Sequence, residues 1–97
     1  MHNPARILVV DDNPANVDIL RMRLEAQGYD IKTASDGEEA LSAVNEHQPD
    51  LILLDIMMPK LDGIEVCRRL RADPTVPLIP ILLVTATSDS KDVVEAL

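Results

Sequence analysis

With 97 residues, the chain has room for one hydrophobic core, and we expect a single domain over residues 1–97. Its 46% hydrophobic and 27% charged residues are typical of a folded globular protein, and no apolar run is long enough to cross a bilayer. A formal net charge of −8 argues against binding to nucleic acid or to an anionic membrane, and favours a bound cation or a basic protein partner.

Cysteine and histidine usage is sparse. Cys67 is the only cysteine, so no internal disulfide can form, and no charged-then-apolar leader opens the chain. We therefore expect a reducing, cytoplasmic setting. His2 and His47 have no second histidine or cysteine at a spacing suited to zinc, and we expect both on the surface.

Strands and helices are predicted to alternate along the chain. Residues 6–10 and 51–54 are apolar strands, the second being apolar throughout, as in a central strand covered on both faces. Residues 30–34 alternate polar and apolar side chains, as an edge strand does, and the last strand is predicted at 79–84. Strands separated by helices in this way imply right-handed crossovers and a parallel sheet, that is, an α/β fold.

The first two helices are predicted from their start and stop signals. Asn13 can cap the first helix, with Pro14 in its first turn, and Gly28 ends it. Ser35 and Glu38 have the spacing of a capping box and open the second helix, which stops before the next proline.

The chain ends in two further predicted helices. Asp62 and Glu65 frame the start of the third, which the pair Asp73-Pro74 interrupts. Residues 88–90 can cap a fourth, which runs to Leu97 without a C-cap. The strand before it is as apolar as the central strand, so we expect a further strand and helix, or another chain, to cover that edge.

Three carboxylates stand where two apolar strands end. Asp11 and Asp12 follow the first strand, and Asp55 follows the third. In a parallel sheet these side chains meet at the C-terminal edge, where open α/β sheets place their active sites. Like charges gathered there repel and destabilise the fold unless a cation lies among them. Because Mg²⁺ prefers carboxylate oxygens and accepts a phosphate oxygen, the pattern predicts a divalent-metal site for phosphoryl chemistry.

In this order and strand context, the motifs resemble those of the receiver domain of two-component response regulators. They are Asp11-Asp12 after strand one, Asp55 within Leu53-Leu54-Asp55-Ile56-Met57-Met58-Pro59, Asp62-Gly63 at helix three, and Thr85-Ala86 after strand four. The resemblance covers essentially the whole chain. It implies a doubly wound, flavodoxin-like parallel sheet of order 2-1-3-4-5, with strand five and helix five missing from residues 1–97.

The same resemblance implies a phosphoacceptor signalling domain and not an enzyme, with at most self-phosphorylation from small donors and slow self-dephosphorylation. Asp55 would take the phosphoryl group from a histidine kinase or a histidine phosphotransfer protein. Asp12, Asp55 and the Met57 carbonyl would bind Mg²⁺ or Mn²⁺, and Asp11 would hold a metal-bound water. Thr85 would be the switch hydroxyl that hydrogen-bonds the phosphoryl group and changes the conformation that controls the output.

Two alternatives and one further partner stay open. In haloacid-dehalogenase-like phosphohydrolases a second aspartate follows the nucleophile by two residues, whereas Met57 stands there in this chain, which counts against turnover. A non-phosphorylated interaction module would pair strand 79–84 with another chain, giving a homodimer by edge addition or domain swapping. Residues 68–75 resemble receivers fused to nucleotide-cyclase output domains, diguanylate cyclases among them, so a fused output domain is also expected.

Overall fold

The computed structural model describes residues 2–55, 63–76, 78–84 and 95–96. Five strands form one sheet of order β2-β1-β3-β4-β5, in which β1 to β4 run parallel and β5 is antiparallel to β4. The elements in chain order are β1 (Arg6–Val10), α1 (Pro14–Ala26), β2 (Asp30–Ala34), α2 (Gly37–His47), β3 (Leu51–Asp55), α3 (Gly63–Ala72), β4 (Ile81–Val84) and β5 (Glu95–Ala96).

The predicted parallel α/β fold and the order 2-1-3-4 are confirmed, with small changes at two strands. β3 extends one residue further than predicted and includes Asp55. β4 begins at Ile81, two residues later than predicted. Pro80 accepts a hydrogen bond from the Ile52 N–H at 3.0 Å but has no N–H to donate, so regular pairing starts only after it. Within the described ranges, no helix has the length and apolar content needed to cross a membrane.

The prediction of a helix running to Leu97 is wrong at residues 95–96. There Ala96 pairs with Leu82, and Glu95 pairs with Leu83, as the short strand β5. The outer edge of β4 carries backbone N–H and C=O groups. An adjacent strand can form hydrogen bonds with them and a helix cannot, which favours the extended conformation for residues 95–96. The predicted caps at 88–90 lie outside the described residues.

The helices divide unequally between the two faces of the sheet. In the strand order β2-β1-β3-β4, the connections β2-α2-β3 and β3-α3-β4 cross the sheet in one direction, and β1-α1-β2 crosses it in the opposite direction. Because each crossover is right-handed, α2 and α3 lie together on one face of the sheet and α1 lies on the other. The α2/α3 face holds the main core, made by Leu8, Val10, Ala34, Ala40, Ala43, Val44, Ile52, Leu54, Val66, Cys67, Leu70, Ile79, Ile81 and Leu83. The α1 face is covered less completely, since no residue of α1, all of which the structure describes, is fully buried.

The ends of α1 match the prediction. The Asn13 side chain accepts a hydrogen bond from the Ala15 N–H at 3.0 Å, and Pro14 occupies the first turn. After the helix, Gly28 has a φ of 95°, in the left-handed region that glycine adopts without steric cost. The cap at Asn13 sets where α1 begins, and so where the β1–α1 loop that carries Asp11 and Asp12 ends.

The start of α2 differs from the predicted capping box by one residue. Asp36 is the N-cap, and its Oδ1 accepts a hydrogen bond from the Glu39 N–H at 2.8 Å. Glu39 in turn accepts bonds from the N–H and the hydroxyl of Ser35, both at 3.0 Å. A carboxylate N-cap gains from the helix dipole in a way that a serine hydroxyl does not, which favours Asp36 over Ser35.

The two histidines lie near the N-terminal edge of the sheet and are less exposed than expected. His2 Nδ1 lies 3.0 Å from Asp50 Oδ2, and its side chain is 33% exposed. His47 ends α2 and is half-buried; its Nε2 is buried and has no hydrogen-bond partner among the described residues. Both side chains therefore help to cover the N-terminal edge of the sheet, which is opposite the edge that carries Asp11, Asp12 and Asp55.

Candidate functional site

The three carboxylates predicted to meet do so at the C-terminal edge of the sheet. Val10 and Leu54 are register partners in β1 and β3, so the residue after Val10 and the residue after Leu54 lie side by side. Carboxylate oxygens of Asp11, Asp12 and Asp55 all lie within 4.8 Å of one another. Adjacent parallel strands thus bring together residues that are more than 40 positions apart in sequence.

The three side chains differ in their contact with solvent. Asp55 is 5% exposed and Asp11 is 9% exposed, whereas Asp12 is exposed. Carboxylates withdrawn from water lose hydration energy, and their mutual repulsion is less screened than at an open surface. The cluster is therefore unfavourable by itself, and a cation within reach of its oxygens would stabilise it.

Backbone hydrogen bonds hold Asp11 in place. Its Oδ1 accepts a bond from the Asn13 N–H at 2.9 Å, and its own N–H donates to the Ala34 carbonyl at 3.2 Å. The first bond forms an Asx turn that leads into α1, and the second extends the pairing of β1 with β2 past the end of the strand. The loop is thereby fixed on both sides.

The donor set fits a hard divalent cation. Ligands on opposite sides of an octahedral Mg²⁺, at about 2.1 Å each, are about 4.2 Å apart, so oxygens spread over at most 4.8 Å can converge on one ion after small side-chain rotations. All the donors are carboxylate oxygens, the type preferred by Mg²⁺ and Mn²⁺. Three protein groups leave further positions for water or for a phosphate oxygen.

A cavity of about 370 Å³ adjoins the cluster, between the β1–α1 and β2–α2 loops. Its polar lining includes Asp11, Asp12, Asp18, Ser35 and Glu39. Because four of these five side chains are acidic, the cavity repels a free anion. A phosphorylated donor therefore needs a cation, or its own positive charge, to approach from this side.

Two of the predicted site residues, Met57 and Thr85, lie outside the described residues, so their assigned roles stay predictions. The sequence interpretation treated Asn13 only as a helix cap and missed its bond to Asp11. The available signal was Asp11 itself, since an aspartate side chain often accepts a hydrogen bond from the backbone N–H two residues on. Glu39 was missed at the cavity because the predicted capping box used Glu38.

Comparisons with known proteins agree with this geometry. The family model described as the response regulator receiver domain matches residues 7–97. The chain is 53% identical over 87 residues to the alkaline phosphatase synthesis transcriptional regulatory protein PhoP of Bacillus subtilis, covering 90% of this chain and 35% of that protein.

Two solved structures have the same fold. The N-terminal domain of a response regulator receiver protein from Methanoculleus marisnigri superposes with a TM-score of 0.82 at 50% identity, covering 84% of this chain and 67% of that one. The response regulator TrrA of Thermotoga maritima, solved in complex with Mg²⁺ and BeF, has a TM-score of 0.78 at 43% identity, covering 87% and 71%. The chain spans only 35% and 20% of the length of the curated relatives PhoP and PleD, the latter from Caulobacter vibrioides.

Proposed function

The chain belongs to the family of response regulator receiver domains, which are phosphoacceptors in two-component signalling, and from that membership we propose that Asp55 is its phosphoacceptor. The observation that carries the proposal is the convergence of Asp55 with Asp11 and Asp12 at the C-terminal edge of the sheet. Residues 1–97 then act as one receiver unit whose role is regulatory. Its chemistry is limited to phosphorylation of the domain itself and slow loss of the phosphoryl group.

Position favours Asp55 over its two neighbours as the nucleophile. It is the last residue of β3, a strand paired on both sides, so its backbone is held more firmly than that of a loop residue. Asp11 and Asp12, in contrast, lie in the loop between β1 and α1. A nucleophile held by the sheet needs little reorganisation to reach phosphorus.

We assign a divalent-metal site to the same cluster, with Asp12, Asp55 and the backbone carbonyl of Met57 as ligands and Asp11 as the holder of a bound water. Mg²⁺ or Mn²⁺, when bound, supplies positive charge that offsets the phosphoryl oxygens during transfer. The TrrA structure, which holds Mg²⁺ and BeF, supports this assignment by family relationship.

Transfer of the phosphoryl group from a phosphohistidine to Asp55 needs no further reactant. A carboxylate oxygen of Asp55 forms a bond to phosphorus, the bond from phosphorus to the imidazole nitrogen of a phosphohistidine breaks, and the nitrogen keeps the electron pair. The donor is a histidine kinase or a histidine phosphotransfer protein. Thr85 then donates its hydroxyl proton to a phosphoryl oxygen of the acyl phosphate, and its movement biases a two-state surface that the output reads.

For the output and the setting, our proposal rests on relatives and on composition. The resemblance of residues 68–75 to cyclase-linked receivers favours a nucleotide-cyclase output domain, while the relative PhoP of B. subtilis is named as a transcriptional regulatory protein. With a net charge of −8, these residues themselves do not provide a nucleic-acid surface in either case. A cytoplasmic location fits a domain that meets a kinase and an output module.

The test is intact mass spectrometry of the purified chain before and after incubation with acetyl phosphate, with and without Mg²⁺. We expect one phosphoryl adduct that requires Mg²⁺ and is lost in Asp55→Asn. Asp18→Asn is the matched control, since Asp18 lines the same cavity but lies outside the cluster. Undiminished labelling of Asp55→Asn would overturn the assignment, and sustained phosphate release from small esters would favour a phosphohydrolase.

A further inference from the structure

A second cavity, of about 450 Å³, opens at the N-terminal edge of the sheet, opposite the edge that carries the carboxylate cluster. Its volume is in the range of small-molecule sites, about 300–1,000 Å³. It is lined by the segments that precede β1, β3 and β4 and by the end of α2. All of the described lining residues come before β4 in the chain, and residues 95–96 pair with the outer side of β4. In the described part of the chain, the cavity is therefore formed without residues that follow β4.

One part of the cavity lining is apolar. Val44 of α2 and Ile79 are 3% and 6% exposed, and Pro49, from the same lining, is buried. Leu78 also lines the cavity but is 86% exposed, so it lies at the rim. An apolar group that enters the cavity would cover Leu78 and take it out of water, which favours binding.

The cavity also contains an ionised carboxylate, Asp50, whose side chain is 12% exposed. Hydrogen bonds from Arg6 and then His2 lower the pKa of Asp50 to about 2, so the group is charged at neutral pH. Its Oδ2 accepts bonds from the Arg6 N–H at 2.9 Å, the His2 N–H at 3.2 Å and His2 Nδ1 at 3.0 Å. Among the described residues, Oδ1 shares only the His2 Nδ1 hydrogen, at 3.2 Å, so it can accept a further donor.

The end of α2 adds negative potential at the cavity. Val44 of its last turn and its C-cap Gln48 both contribute to the lining. Carbonyl groups at a helix C-terminus carry partial negative charge and attract cations. The chain itself places a cation at this helix end, since the His47 carbonyl accepts a bond from Arg6 Nη1 at 2.8 Å. The apolar lining, the carboxylate and the helix end together favour a ligand that is both apolar and positively charged.

We propose that this cavity binds an organic cation in which a guanidinium, amidinium or ammonium group is joined to an apolar body. The cationic group donates to Asp50 Oδ1, and the apolar body lies against Val44, Leu78 and Ile79. A hydrogen bond to a carboxylate is stronger when the donor is charged, so the site distinguishes a cation from a neutral molecule of the same shape. The net charge of −8 and the Asp50 carboxylate disfavour an anion. Because the cavity lies at the opposite edge of the sheet from Asp55, the inference is independent of the phosphoacceptor role.

Methyl NMR titration of the purified chain with benzamidinium chloride tests the proposal, with benzamide as the neutral molecule of nearly the same shape. At matched ionic strength, we expect resonances of Val44, Leu78 and Ile79 to shift and saturate with a Kd of about 1 mM, as for a ligand of about nine non-hydrogen atoms. Benzamide should bind about ten-fold more weakly, because its hydrogen bond to Asp50 is not assisted by charge. Equal affinities would overturn the proposal, as would shifts confined to Val17, which lines the acidic cavity at the other edge.

Two lysine substitutions separate binding in the cavity from the general attraction of cations to an acidic chain. Leu78→Lys puts a positive charge at the exposed rim and should weaken benzamidinium binding about five-fold. Ile64→Lys is the matched control, because it changes the net charge equally at an exposed apolar position of α3 outside the cavity lining. It should bind benzamidinium as the parent does. Equal weakening in both variants would mean that net charge alone governs binding and would contradict the proposal.

Asp50→Asn should abolish the preference for benzamidinium over benzamide. Because this substitution also lowers stability, the readout is the ratio of the two dissociation constants measured on the same sample, in which the folded fraction cancels. If the variant keeps a preference of about ten-fold, the carboxylate does not bind the cation and the proposal is wrong.

A peptide titration identifies the source of the cation. Acetyl-leucyl-arginine amide carries the chemistry of a protein side chain, and the same peptide with citrulline in place of arginine is its neutral control. Tighter binding of the arginine peptide than of benzamidinium would assign the cavity to an arginine of a partner protein, and weaker binding would assign it to a free organic cation. Both results are consistent with the site, whose existence is decided by the comparison of benzamidinium with benzamide.

Discussion

Arg6 and Asp50 exchange hydrogen bonds at the N-terminal ends of β1 and β3. The Arg6 N–H donates to the Asp50 carboxylate at 2.9 Å, and the Asp50 N–H donates to the Arg6 carbonyl at 2.7 Å. Asp50 Oδ2 also accepts from the His2 N–H at 3.2 Å. β1 and β3 are thus joined at one end through the backbone and the carboxylate of Asp50, while at the other end they present the acidic cluster.

These bonds favour the ionised carboxylate of Asp50 and predict a dependence of stability on pH. The Arg6 N–H, followed by His2, lowers the pKa of Asp50 from 3.8 to about 2. A carboxyl group whose pKa is lower in the folded state contributes stability above its unfolded pKa and loses that contribution as pH falls through the folded pKa. We expect Asp50→Asn to unfold at a lower temperature than the parent at neutral pH, and the difference to shrink between pH 4 and about 2.

Thermal unfolding followed by circular dichroism at several pH values measures this effect. Taking the difference between parent and variant removes the contribution of the other carboxylates, which titrate in both chains. Glu46→Gln, at an exposed position of α2, is the control and should follow the parent throughout. A parent–variant difference that does not change with pH would mean that Asp50 acts through its shape and not through its charge.

The acidic cluster predicts opposite effects of one substitution with and without metal. Asp12→Ala removes one of three mutually repelling carboxylates, so the metal-free chain should gain about 0.5–1 kcal/mol, the scale of exposed charge pairs. The parent should gain about 1.4 kcal/mol at a Mg²⁺ concentration ten times its dissociation constant. Asp12→Ala should need a several-fold higher Mg²⁺ concentration for the same gain. Urea unfolding at matched ionic strength measures both effects.

Asp18→Ala is the control for the metal effect, because Asp18 lies near the cluster but is not part of it. It should respond to Mg²⁺ as the parent does. If Asp18→Ala and Asp12→Ala lose the Mg²⁺ response equally, the cation acts by general screening of a chain with net charge −8 and not at the three carboxylates.

The sheet and the cluster were predictable because they depend on strong local signals. The apolar runs before Asp11 and Asp55 set both the strands and their shared edge. The end of the chain was mispredicted because residues 88–97 contain helix-capping signals, whereas the free edge of β4, a feature of the folded sheet, favours pairing with residues 95–96. Asp50 contacts His2 and Arg6, which lie 48 and 44 positions before it, and no local pattern reports these contacts.

The corrected N-terminus of α2 gives a second stability prediction. Asp36→Ala removes the N-cap acceptor of the Glu39 N–H and should cost about 1 kcal/mol. Glu39→Ala removes the acceptor of two bonds from Ser35 and should cost about 0.5–1 kcal/mol. Glu38→Ala should change the free energy of unfolding by only a few tenths of a kcal/mol, because Glu38 is exposed. If Glu38→Ala lowers the free energy of unfolding as much as Glu39→Ala does, the capping box predicted for Ser35 and Glu38 is correct.

The unequal cover of the two sheet faces predicts unequal costs for the same substitution at adjacent positions of β3. Leu54 is 0% exposed on the α2/α3 face, and Leu54→Ala should lower the free energy of unfolding by about 3–4 kcal/mol through lost burial and a residual cavity. Leu53 is half-buried on the α1 face, so Leu53→Ala should cost only about 1–2 kcal/mol. Strand propensity changes equally in both variants, so it cancels in the comparison. Urea unfolding measures the two costs, and equal costs would mean that the α1 face is as well covered as the other.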